Sequence, residues 1–125
     1  MIRLFLGISV LAWAGYGTYC FIDPVSLAVQ AGVTAGSTTG TIELRAMYGG
    51  VQIGIGVLAL LALLRPALQP GVLLTLAVIT GSLFSARLMA VLITTDFSAY
   101  TVGALVFECV YTVIAAVLAR RAAAA

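Results

Sequence analysis

Four charged side chains stand within or at the edge of apolar runs: Glu43, Arg45, Arg87 and Glu108. Tyr48 and Gln52 follow the first two on the same run. A lone charge at the centre of a membrane helix costs about 3 kcal/mol on insertion scales, so opposite charges at matched depth are most economically read as a pair. Arg87 lies seven residues before Thr94 and Glu108 seven after Thr101, which puts both roughly 10 Å below one boundary at 1.5 Å per residue. Tyr48 reaches a similar level, with Glu43 and Arg45 slightly above it. Two kinds of chemistry suit such a cluster. Arg87 and Glu108 can clamp two helices in register, with Tyr48 and Gln52 completing the hydrogen bonds, or the six residues can line an outward-facing polar pocket for a ligand headgroup, an ion or a proton. Catalysis fits poorly. A neutral-pH acid/base site usually recruits His or Cys, His is absent, and Ser82 and Ser85 have no adjacent base, so no catalytic residue is assigned.

The elements that must position these groups are membrane helices. The 125 residues are 63% hydrophobic and 8% charged, against roughly 25% charged in soluble domains, and the mean hydropathy is +1.22. Crossing a hydrocarbon core of about 30 Å takes about 20 apolar residues. The length therefore allows one domain of four spans and no separate soluble part. The net charge of +2 comes from six dispersed arginines without lysine, which argues against a nucleic-acid partner. Cys20 and Cys109 are isolated, so no metal site, cofactor or CxxC motif is expected, and each reads as a small packing residue.

Along the chain, the start MIRLFLGISVLAWAG looks like a signal peptide with its A-x-A at residues 12–14, yet it is expected to be retained as the first transmembrane helix, residues 4–22. Asp23 as N-cap and Pro24 at the first position predict a short helix over residues 25–30, stopped by Gly32 and lying at the membrane surface in the first, outer loop. Residues 32–40, GVTAGSTTG, read as a loop. Thr41 is expected to cap the second helix, residues 42–64. One side of it carries Arg45, Tyr48, Gln52, Gly49 and Gly56; the other carries Glu43, Met47, Gly50 and Gly54. The Gly50/Gly54 pair is expected to admit another backbone closely. A proline-bounded turn over residues 65–70 leads to a third helix, 71–94, and a loop to a fourth, 101–118, with Thr101, Glu108 and Thr112 along one stripe. The fold class is thus all-α, an integral membrane four-helix bundle with a short interfacial helix. Arg3, Arg65, Arg120 and Arg121 fall on one side of such a chain and Asp23 and Asp96 on the other, which predicts both termini in the cytoplasm.

The string Glu43-Leu-Arg45-Ala-Met-Tyr48-Gly49-Gly50, followed by Gly54, Gly56, Arg87-Leu88 and Glu108, resembles a family of small bacterial four-helix membrane proteins catalogued as domain of unknown function 4345. The resemblance covers nearly the whole chain, Asp23-Pro24 included. It departs from the family pattern at Thr41-Ile42, where an Asn is expected before the Glu. It implies a four-helix membrane fold and no substrate; the expected location is the bacterial inner membrane.

The expected function is non-enzymatic: an accessory bundle that binds membrane lipid, a partner membrane protein or further copies of itself. The alternative is a small proton- or cation-coupled transporter or channel working as an oligomer through Glu43 or Glu108. Internal repeats, common in transporters, would support the alternative. The segment Arg45-Ala-Met-Tyr48-Gly49-Gly50 has no counterpart elsewhere in the chain.

Overall fold

Long apolar runs without interior proline leave the backbone no hydrogen-bond partners but its own, and in lipid that favours helix. The computed structural model of the chain describes residues 1–124, which contain helices and no strand. Helix α1 is Ile2–Ile22, the short α2 is Ser26–Ala31, α3 is Thr38–Leu64, α4 is Gln69–Thr94 and α5 is Ala99–Ala123. A 3-10 turn at Pro66–Leu68 precedes α4. Four helices, all but α2, are long and apolar enough to cross a bilayer, as expected of a multi-pass membrane protein. The chain forms two compact units: Met1–Pro66, holding α1 to α3, and a second from Ala67 onward, holding α4 and α5.

The helix ends differ from the expected ones for local reasons. Ser37, in extended backbone, accepts a hydrogen bond from the Gly40 amide at 3.1 Å and so caps α3 a full turn before Thr41. Thr41 itself turns back, its hydroxyl donating to the Ser37 carbonyl. Residues 38–40 therefore belong to the helix and not to the loop. Helix α2 begins at Ser26, with Val25 and not Asp23 at the cap; the Ser26 hydroxyl donates to the Asp23 carbonyl at 2.8 Å. Gly32 stops it as expected, in the left-handed conformation at φ +68°. Ser98 caps α5, accepting from the Thr101 amide at 3.3 Å, so that helix starts two residues before Thr101.

Two segments wind as π-helix: Val10–Ala14 within α1 and Arg45–Gly50 within α3. A π turn holds one more residue than an α turn and rotates all that follows by about 100° relative to a regular helix.

Within the first unit, α1 and α3 meet backbone to backbone. A Cβ on Gly56 would lie 2.6 Å from both the Ala14 nitrogen and Cβ, and one on Gly49 would lie 2.8 Å from Phe21 Cβ. A Cβ on Gly17 would lie 2.8 Å from both the Gly49 carbonyl oxygen and the Ile53 nitrogen. Only glycine fits at these three positions, and small residues are how membrane helices approach without a hydrophobic driving force between them. The expected Gly50/Gly54 pair does not serve this contact: no neighbouring helix of its unit comes within 4 Å of either position. Both lie off the side that carries Gly49 and Gly56.

These contacts generate a paired expectation. Gly56→Ala should destabilise the protein by about 1–3 kcal/mol, the usual range for overpacking, whereas Gly54→Ala should leave stability unchanged or raise it by up to about 1 kcal/mol through helix propensity. Unfolding in mild detergent, followed by circular dichroism, reads both; equal effects would contradict the packing described.

Candidate functional site

The second unit contains the strongest polar contact in the chain. Arg87 stands late in α4 and Glu108 in the third turn of α5, on faces turned toward each other by the tight Asp96-Phe97-Ser98 connection. Arg87 Nη2 donates to Glu108 Oε1 at 2.8 Å, and Nε lies 3.1 Å from both carboxylate oxygens. The pair is charge-assisted and uses two guanidinium nitrogens, the geometry that gives arginine its advantage over lysine. Glu108 is buried and Arg87 half-buried.

A second polar contact lies deeper on the same pair of faces. Thr80 is two turns before Arg87 and Thr112 one turn after Glu108, and the Thr112 hydroxyl donates to Thr80 Oγ1 at 2.8 Å. Thr80, fully buried, passes its own proton back to the Leu76 carbonyl at 2.8 Å. A Cβ on Gly81 would lie 3.3 Å from Thr112 Cγ2, so a small residue beside Thr80 keeps the helices close enough for this bond. Thr80 carries no mark of importance in a composition scan; its spacing of seven from Arg87 is the feature that points to it.

The remaining expected residues belong to the first unit. Arg45 is exposed, and its Nε donates to the Phe21 carbonyl at 3.0 Å. That carbonyl is in the last turn of α1, where four oxygens lack helical partners and a cation is favoured by the helix dipole. Arg45 therefore caps α1 from the side. Gln52, half-buried, lies on the α1-facing side: a Cβ on Gly17 would be 3.0 Å from its own Cβ. Tyr48 is half-buried and Glu43 exposed. Tyr48 and Gln52 complete no hydrogen bond within their unit. The structure thus brings together Arg87 with Glu108, and Arg45 with the end of α1.

Among the described residues no group of three or more His, Cys, Asp or Glu side chains is placed to hold a metal ion. Cys20 is buried and Cys109 exposed, both as free thiols.

Removing one partner of a buried pair costs about 3–5 kcal/mol because the other charge is stranded, while replacing both by apolar residues is often near neutral. Arg87→Leu and Glu108→Leu should each lower the yield and stability of folded protein by that order, and the double variant should recover most of the loss. Thermal unfolding of the four proteins in one detergent gives the coupling; losses that simply add would show that the pair contributes no mutual stabilisation.

Residues 1–119 match the family described as Domain of unknown function (DUF4345). No curated protein and no solved structure shows a significant match to the chain. With 119 of its 125 residues inside the match, the chain belongs to the DUF4345 family.

Proposed function

We propose that the protein is a non-enzymatic bundle of the bacterial inner membrane that binds a lipid or a partner membrane protein through the polar outer end of α3, and that it works as an accessory subunit. The observation that supports this reading is the closure of Arg87 on Glu108. Both carboxylate oxygens accept hydrogen bonds from one guanidinium. A carrier carboxylate must change partners or protonation state during turnover, and one enclosed in this way is suited to holding α4 and α5 in register. With that pair assigned to structure, the polar groups left to meet something outside the unit are Glu43, Arg45, Tyr48 and Gln52. They occupy about two and a half turns of one helix, beginning at its outer end.

The arginines argue for an orientation. Arg3, Arg65, Arg120 and Arg121 occupy the two termini and the connection between α3 and α4, and the positive-inside rule assigns that side to the cytoplasm. Alkaline phosphatase fused after Arg121 should be inactive and fused after Gly36 active; the opposite pattern would place the polar end of α3 on the cytoplasmic side.

Binding and transport are separated by one preparation. Native mass spectrometry from gentle detergent should report a retained lipid or protein, and the same material in liposomes should show no proton or cation flux above empty vesicles. A bare chain, or a flux abolished by Glu108→Gln, would overturn the accessory reading.

A further inference from the structure

The two helices of the first unit have unequal lengths, 21 residues in α1 and 27 in α3. At 1.5 Å per residue these are about 31 and 40 Å, so α1 matches a hydrocarbon core and α3 exceeds it. Gly49 packs against Phe21, so Arg45 stands one turn further out along α3 and reaches back to the Phe21 carbonyl through Nε. The turns of α3 before it, Thr38–Leu44, continue past the end of α1 by about 10 Å. With α1 just long enough to cross the hydrocarbon core, the Arg45 guanidinium at its end would meet the headgroup region.

Beside those projecting turns, α2 and the strand of chain after it enclose a cavity of about 220 Å³. Its walls are mostly apolar, with Pro24, Val25 and Ala28 from the α2 region, Val33 and Ala35 after it and Leu44, next to Arg45 in sequence, on α3; Thr34 and Thr41 add two hydroxyls. Around α2, the apolar side chains of Ile22, Val25 and Val29 are 71%, 74% and 90% exposed. Side chains of this kind at a membrane boundary face acyl chains.

Arg45 offers more than its cap uses. Nε is committed to Phe21, while Arg45 as a residue is exposed and no carboxylate of the unit pairs with its terminal nitrogens. Asp23, two residues beyond Phe21, is exposed and forms no ion pair with Arg45. Glu43 lies two positions earlier, about 200° round the helix. A guanidinium held by one nitrogen and free at the others is pre-oriented for a phosphate.

Resting on the binding role proposed above, we infer that this corner holds one membrane glycerophospholipid, with its phosphate on the terminal nitrogens of Arg45 and part of one acyl chain in the cavity beneath α2. Phosphate recognition sets the ligand class; the apolar cavity gives it a fixed seat beside the helix.

The probes are three dioleoyl lipids titrated into delipidated protein in detergent and read by native mass spectrometry: phosphatidylglycerol, phosphatidylethanolamine and diacylglycerol. One copy of either phospholipid should bind, with diacylglycerol at least about tenfold weaker, the loss expected when a charge-assisted contact is removed. Arg45→Gln should weaken phospholipid binding by about tenfold or more and erase the preference over diacylglycerol, while Arg45→Lys should retain part of both. Ala28→Phe, which fills the cavity, should weaken phospholipids and diacylglycerol alike. The wild-type comparison needs no variant, so it decides even where Arg45→Gln fails to fold. Equal binding of diacylglycerol and phospholipid, or phospholipid binding indifferent to Arg45→Gln, would overturn the inference and leave the broader binding role standing. Retention of a protein and no lipid would overturn it in favour of the partner reading.

Discussion

Inside a bilayer no water is available to satisfy a polar group, and that absence governs the side-chain hydrogen bonds within the long helices of this chain. The hydroxyls of Ser9, Thr75, Ser82, Ser85 and Thr94 each donate to the carbonyl four residues back, at 2.8–3.0 Å. Each thereby removes its own donor from the lipid without needing another helix. Larger polar groups cannot do this. Arg87 and Glu108 satisfy one another, and Thr112 reaches Thr80, so in the second unit the cost of exposing polar groups to lipid is what draws α4 and α5 together.

The first unit solves the same problem of association by a different route. Its helices are joined by close backbone approach at Gly17, Gly49 and Gly56, with Arg45 closing the open end of α1. Dispersion between backbones depends steeply on distance, so a single added methyl is felt there. In the second unit the seam between helices is held by hydrogen bonds, which bear on the identity of polar atoms more than on volume. The two halves of one small protein thus present different sensitivities: the first to size, the second to charge and hydrogen-bonding capacity.

Much of this was legible in the residues. Apolar run length alone locates four spans, because the 30 Å core imposes a minimum that only four stretches meet. The Arg87–Glu108 pair follows from equal depth on consecutive helices, since two charges have few alternatives in lipid. Helix starts were less legible. Ser37, Thr38, Thr39 and Thr41 are all capable caps, and what favours Ser37 is its extended backbone, a tertiary fact. The π segments were not legible either, since a periodicity argument assumes 3.6 residues per turn and has no term for an inserted residue. Gly50 and Gly54 satisfied a small-residue spacing rule, yet Gly49 and Gly56, two turns apart on the Arg45 face, make the close contact. Spacing identifies a face that permits approach; the partner's surface decides which face is used.

The arginines of the two units then differ in a way that bears on function. Arg87 spends its directional bonds on a buried carboxylate of its own unit, so its charge is neutralised and its position fixed. Arg45 spends one nitrogen on a carbonyl, which carries no formal charge, and stays exposed at the end of α1. A cation left with its charge uncompensated near a membrane surface attracts an anion, and phosphate is the anion that a membrane supplies at high local density. The same bond that caps α1 also restricts how the guanidinium can turn. On the lipid-binding proposal one side chain would serve both capping and recognition, and a change at Arg45 loosens the end of α1 in the same step that it removes the charge.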